Sequence, residues 1–580
     1  MKKSVFGLVS ATSLALVLTA CGGGSATPAG AGFEDCEDNP VTCNEGERRD
    51  GGEINWAIDS GWEGWSLVST ESSSVYTRQA ILATLPSVGE FNQAGDFVYN
   101  DGLLAEEPQM LSDDPLQVEY TLNPEATWGD GTNVNVDDFI WNWYARSGDQ
   151  DLCEGCVPPA TSYGANVDSI DEGDNEQTII VTYRDGFLTP EWMMQEVLSH
   201  PAHIAEAEGF DWQNDASAME ESVNHFVSTV PTWTAGPYKI TDAAVSDYVI
   251  LEPNQEWAGS IQPTLDKITL QRIESVESII TELRNGSIDG ASPSAVDPDM
   301  LEQLQGTQGI NYRVSAGPAW NHIDMNMNNE FLSDDALREA IFTAIDVEAM
   351  LDRGHRLVME DLERKLSHIF RNDNDYFEDY LSDTAQGTGD LEAARSILEE
   401  AGYSFDNNDA LLSPDGEPVE LEFRFGGDNS INVTYGELLQ QQLGDLGINI
   451  QLNQIATGEL GDVLSGQNYD MVYFGWTGSP TFAQNAHQYW HSQSGSNYGG
   501  LDDEVLDSLA EEVMETTDMD QAAQLANAAL EQAVTNHYVL PITDTPVIIM
   551  ANDELVNVRD NWATQSRAMY NMAEWGLAAQ

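Results

Sequence analysis

Basic residues are scarce in this chain of 580 residues: 22 Lys and Arg stand against 99 Asp and Glu, a formal charge of −77. Past Lys2 and Lys3, lysine recurs only at Lys239, Lys267 and Lys365. Phosphate backbones and anionic headgroups are held by basic surfaces, so nucleic acid and lipid headgroups are excluded as direct partners. Cysteine is scarcer still, at five residues, and none of the nine His lies near one in sequence, which leaves a zinc site short of ligands. Catalytic signatures are missing too. No Lys follows a Gly, which removes the phosphate-binding loop; no His precedes a Glu, which removes H-E-x-x-H; and G-x-S-x-G does not occur. No enzyme activity and no cofactor are expected.

Aromatic residues are plentiful. With 15 Trp, 19 Tyr and 17 Phe in a chain that is 41% hydrophobic, the acidity belongs to a folded body and not to a disordered tail. The length allows two or three domains. Lys2 and Lys3 precede an apolar stretch, Val5 to Leu18, diluted by Ser and Thr, which reads as a secretory signal over residues 1–20 and is too short for a membrane span. It closes on Leu18-Thr19-Ala20-Cys21, which resembles the bacterial lipobox. That resemblance implies lipidation of Cys21, which becomes the mature N-terminus. The residues after it, "GGGSATPAGAGF", form a tether within 21–52 that reaches roughly 20 Å as a flexible coil. A soluble body anchored to the outer face of the cell membrane is the expected arrangement. Export favours disulfides, and two local pairs are at hand, Cys36 with Cys43 and Cys153 with Cys156. The second is a C-x-x-C, but its flanks read as loop, so a staple is expected there and not a redox centre.

Periodicity supplies the elements. Ile54, Trp56 and Ile58 alternate in a strand, and a polar turn carrying Trp62 and Trp65 follows. Val118, Tyr120 and Leu122 mark another strand; after a Gly-Asp-Gly turn a helix starts near Asn135, with Phe139, Trp143 and Tyr144 on one face. Helices are predicted from Ala336 and from Leu391 to Ala401, the second capped by Asp390 and ended at Gly402. Between Val419 and Ser479 the pattern is a β-α-β unit with parallel strands, followed by a further strand that ends at Trp476. Ligands bind beyond the carboxyl ends of strands in open α/β sheets. That rule selects Gly426, Gly427 and Asp428 after one strand and Thr477, Gly478 and Ser479 after the other.

Several blocks resemble, in order, the extracytoplasmic solute-binding proteins of ABC importers in the oligopeptide, dipeptide and nickel-binding family: "LNPEATWGDGTNVNVDDFIWNW", "TAGPYKI", "ELRNGSIDG", "LREAIFTAID", "DLEAARSILEEAGY", "QQLGDLGINIQL" and "YDMVYFGWTGSP". The resemblance implies an α/β, two-lobed periplasmic-binding-protein-like fold with mixed sheets and a hinge. Its first lobe is split into a main subdomain (53–88, 232–315 and 541–580) and an accessory one (89–231); the second lobe is 316–540. It further implies capture of a peptide or similar small solute between the lobes, delivery to a permease and its ATPase, and a monomer. A solute-binding sensor and an extracellular hydrolase are the alternatives. Ligand-binding candidates are Trp62, Trp65, Trp320, Asn321, Gly426, Gly427, Asp428, Trp476, Thr477, Gly478 and Ser479. Many peptide-binding members resemble W-x-x-D where this chain has Trp476-Thr477-Gly478-Ser479, so a hydroxyl replaces a carboxylate. His487 and His491 have the i, i+4 spacing of two metal ligands, and His200 and His203 flank a proline, yet surface or cleft-rim histidines are the expected reading and no metal is predicted.

Few Lys with many Asp and Glu is the composition of a halophile's exported protein. Self-repulsion opposes the compact state at about 0.15 M salt, where charges interact over about 8 Å, and fades at 1 M, where the range is roughly 3 Å. The melting temperature should therefore climb steeply between 0.1 M and 2 M NaCl. A flat or falling profile would contradict this reading of the charge.

Overall fold

The computed structural model describes residues 32–579, except Asp428 and Thr457. The lipidation candidate Cys21 and the cleft candidate Asp428 therefore lie outside the described residues. Ten strands form one mixed sheet: β1 (Glu53–Ile58), β2 (Tyr238–Ala244), β3 (Tyr248–Pro253), β4 (Lys267–Arg272), β5 (Gly290–Ala291), β6 (Ile310–Met325), β7 (Glu420–Gly426), β8 (Asn449–Ile455), β9 (Met471–Thr477) and β10 (Val539–Asn552). Their spatial order is β8-β7-β9-β6-β10-β5-β1-β4-β3-β2. The fold is two-lobed, and β6 and β10, the longest strands of this sheet, lie side by side within it.

Those two strands pair antiparallel from Ile310 with Asn552 to Ala316 with Pro546, and again from Trp320 with Asp544 to Asp324 with Val539. Between the two stretches the register slips, and Gly317, Pro318 and Ala319 face Thr545. Gly317 is needed here for close approach: a Cβ would stand 2.6 Å from Val547 Cγ1 and 2.8 Å from Thr545 O. Pro318 brings no N–H to the ladder, and its carbonyl instead accepts from Gly478 N at 2.5 Å. The end of β9 is thus tied to the crossover.

The expected β-α-β unit is present. β7 and β8 pair parallel from Glu420 with Asn449 to Gly426 with Ile455, and β9 joins the other side of β7, also parallel. The crossover helix Ser430–Asp445 is capped by Asn429 and buries Ile431, Tyr435, Leu439 and Leu443 against the sheet. In β1, Ile54, Trp56 and Ile58 are all buried, as their alternation requires. Helices Asp335–Ala344 and Leu391–Glu400 carry the Asp334 and Asp390 caps.

The helix after the Gly-Asp-Gly turn needs a correction. It runs Val136–Arg146 and buries Phe139, Trp141, Asn142, Ala145 and Arg146, while Trp143 and Tyr144 stay half-buried on its flank. Polar bonds set the rotation: Trp141 Nε1 donates to Ser222 Oγ at 2.7 Å and Asn142 Nδ2 to Glu196 O at 2.8 Å. Helix Ala216–Ser228 and the segment around Glu196 therefore cover a face that hydrophobic spacing alone assigns differently. A separate four-stranded antiparallel sheet, which holds Val118 and Tyr120, lies against this helix. Both expected disulfides form, with Cα–Cα separations of 4.8 Å for Cys36–Cys43 and 5.5 Å for Cys153–Cys156. Among the described residues no helix is long and apolar enough to cross a membrane.

Candidate ligand-binding site

A cavity of about 310 Å³ opens beside the end of β9. One wall is Thr477, Gly478, Ser479 and Thr481; the facing wall is built from helix Val75–Ile81 and the turn after it, the end of helix Val136–Arg146, and residues 194–200. Its charged lining comprises Arg78, Glu90, Arg146 and Glu196.

The facing wall is placed by one buried carboxylate. Asp138, in the first turn of its helix, accepts from Asn135 N at 3.1 Å to complete a capping box, from Trp128 Nε1 at 3.0 Å, and from Ala202 N at 2.7 Å. Burial pushes its carboxyl up to about 6 against the pull of those bonds. The bond to Ala202 fixes the end of the 196–202 segment, and Asn142 fixes its start. Asn142 also accepts from Arg146 Nε at 3.3 Å. Glu196 then bridges two guanidiniums, Arg78 at 2.5 Å and Arg146 at 2.7 Å. Burial raises its carboxyl, but Arg146 and Arg78 outweigh that and hold it down at about 2. Glu90, on the same cavity, is pushed up by burial against the opposing effect of Arg78.

His200 is buried on this wall among Trp141, Phe226 and Trp233. Burial, aided by Arg146, lowers its imidazole to about 3, so it is neutral at pH 7. Both ring nitrogens, and Ser199 Oγ beside it, have no hydrogen-bond partner. Farther along, Glu191 Oε1 accepts from Phe482 N at 2.7 Å and Ala483 N at 3.0 Å, which ties this segment to the loop after β9.

Of the sequence candidates, Thr477, Gly478 and Ser479 line the cavity. Trp476, half-buried, stacks on Tyr498 at 5.8 Å and lies 5.3 Å from Tyr489, directly behind that wall. Trp320 is buried and adjoins a small neighbouring hollow with Lys365, Arg371, Asp544 and Trp562. There Lys365 pairs with Asp544 at 3.0 Å, and the Arg371 guanidinium lies 4.3 Å from the Trp562 ring. Asn321 spans the crossover and donates to Thr545 Oγ1 at 2.7 Å. Trp62 and Trp65 pack edge to face, 6.3 Å apart, in the core under β1, and Gly426 and Gly427 end β7 away from the cavity lining. His203 pairs with Asp130, and His491 with Glu511. Among the described residues no three His, Cys, Asp or Glu gather as metal ligands. Arg78, Arg146, Glu196 and Ser199 carry no local motif, and His200, expected at the surface or the cleft rim, is instead buried where packing with Trp141, Phe226 and Trp233 covers it. The one signal open to sequence reasoning was the rarity of arginine in so acidic a chain.

A two-lobed α/β body with a solute-sized cavity walled by remote segments is the architecture of a binding protein. Residues 101–498, more than half of the chain, match the family "bacterial extracellular solute-binding proteins, family 5 middle", and the chain belongs to that family of ABC-importer binding proteins, which are not enzymes. It is similar to the oligopeptide-binding protein OppA of Mycobacterium tuberculosis, 23% identical over 513 residues that cover 88% of this chain and 82% of that one. It is also similar to the oligopeptide-binding protein AppA of Bacillus subtilis, 22% identical over 528 residues, 88% of this chain and 89% of that one. Among solved structures, the periplasmic EDTA-binding protein EppA superimposes with a TM-score of 0.84 at 27% identity, over 93% of this chain and 99% of that one.

His200 gives a pH test. Its folded value of about 3 lies below the ordinary 6.5, so the unfolded chain takes the proton first. The stability it contributes is complete above 6.5 and is lost as pH falls, by about 2 kcal/mol between pH 7 and pH 5. In His200→Gln the melting temperature should fall less over that interval than in the wild type. Equal falls in the two proteins would mean that His200 is not held neutral.

Proposed function

We propose that this protein is the substrate-binding lipoprotein of an ABC importer, which takes a peptide or similar small solute between its lobes and delivers it to a membrane permease. The observation that carries this reading is the 310 Å³ cavity, whose walls come from Thr477–Thr481 on one side and from residues 78–90, 146 and 194–200 on the other. Similarity to proteins named for binding oligopeptides and EDTA supports a solute of that size. The lobe limits given above, the anchor at Cys21 and the monomeric state belong to the same proposal.

Protein purified from its own cells should release a small solute on denaturation, detectable by mass spectrometry. Rebinding of that solute to refolded protein should shrink the radius of gyration in scattering. No solute, or an unchanged radius at saturation, would overturn capture by lobe closure. For the anchor, Cys21→Ala should shift the protein from the membrane fraction to the medium or block its processing. A Cys21→Ala product equal to the wild type in mass and membrane fraction would remove the lipid from the account.

A further inference from the structure

We infer that Glu191 is a clasp between the two walls of the cavity, a positioning residue whose carboxylate holds them together during capture. The inference rests on the cavity being the binding site, yet Glu191 itself lies off the cavity lining. Its Oε1 accepts from Phe482 N at 2.7 Å and from Ala483 N at 3.0 Å. Among the described residues, no other hydrogen bond and no ion pair joins residues 89–231 to residues 316–540. One side chain therefore carries the whole polar connection between these two parts of the chain.

Each end of the clasp is fixed to a body with its own core. Trp192, next to Glu191, is buried in the core that holds the four-stranded sheet and helix Val136–Arg146. The Glu191 backbone is held as well: its N–H donates to Thr189 Oγ1 at 3.3 Å, and its carbonyl accepts from Gln195 Nε2 at 2.9 Å. On the other side, Phe482 packs against Phe370 at 5.0 Å and Tyr376 at 5.8 Å. Phe482 and Ala483 belong to a different core, that of helices Glu504–Val513 and Met519–Thr535. The bond thus joins two packed bodies and does more than pin a surface loop. The same loop begins at Gly478, whose N–H is held by the Pro318 carbonyl at the crossover of β6 and β10. Parting the walls about that crossover must pull Phe482 and Ala483 from the carboxylate.

The clasp is also built to release. Glu191 is 7% exposed, and burial pushes its carboxyl up against the opposing effect of the two N–H groups. A buried carboxylate needs such donors, and water replaces them once the walls separate. The two bonds therefore favour the closed arrangement without locking it. All the atoms involved belong to the protein, so the clasp acts alike on any solute the cavity accepts.

Hydrogen exchange and scattering on refolded, solute-free protein in 2 M NaCl test the clasp without a solute. In Glu191→Leu the amides of Phe482 and Ala483 should exchange at least about tenfold faster, as loss of bonds to a charged acceptor implies. The radius of gyration should rise above that of the wild type. Glu191→Gln keeps an acceptor oxygen in place and should restore most of both values. Should the leucine variant fail to fold, Glu191→Asp, one methylene shorter, carries the same measurements. Purified from its own cells, the leucine variant should also retain at least about threefold less of the carried solute than the wild type. Unchanged exchange at Phe482 and Ala483, or faster exchange with an unchanged radius, would overturn the clasp, and equal solute retention would overturn its part in capture. Each of these results leaves solute capture standing. A wild type that carries no solute counts against capture alone, since exchange and scattering still decide the clasp.

Discussion

Strands Ile310–Met325 and Val539–Asn552 constrain everything else in this molecule, because every other strand of the ten-stranded sheet lies to one side or the other of this hydrogen-bonded pair. Their register slips at Gly317–Ala319 opposite Thr545, where a proline brings no donor and a glycine permits close contact. Backbone hydrogen bonds that are absent from a ladder leave it easier to bend. The carbonyl of Pro318 holds Gly478, so movement at the crossover is transmitted to the cavity wall after β9. Trp320, Lys365, Asp544, Arg371 and Trp562 surround the same crossover and link the strand pair to both sides of the hollow next to it.

How much of this was legible in the sequence depended on whether a feature was local. The β-α-β unit was legible because Val419, Leu421, Phe423 and Phe425 alternate, Leu439 and Leu443 repeat at helical spacing, and Ile448, Ile450 and Leu452 alternate again, all within 40 residues or so. The strand-end rule found Thr477–Ser479 for the same reason. It also selected Gly426 and Gly427, which end a strand of the same sheet but lie outside the cavity lining. Trp62 and Trp65 show the limit of reading a strand end as a site: the chain turns back there and folds both indoles into the core. Arg78, Arg146 and Glu196 were invisible because they belong to segments that meet only in three dimensions, and a lone arginine on a helix end has no pattern. The rotation of helix Val136–Arg146 was missed because two polar bonds, from Trp141 and Asn142, decide it and not its apolar spacing.

Charge works in opposite senses on the surface and in the cavity. The acids that give −77 are spread along the chain, a solvated coat that resists association. Arginine, by contrast, is so rare that two guanidiniums on one cavity are a marked concentration. Asp138 anchors the wall that carries them, Asn142 orients Arg146, and Glu196 keeps the pair together at 2.5 Å and 2.7 Å. Paired cations repel, and a bridging carboxylate is the condition for holding them side by side.

The most direct measurement is a crystal structure of the protein as it leaves the cell, without refolding or exchange. The account predicts solute density in the cavity between Ser479 and Glu196. Density for a solute seated elsewhere in the molecule, with this cavity holding water alone, would contradict it.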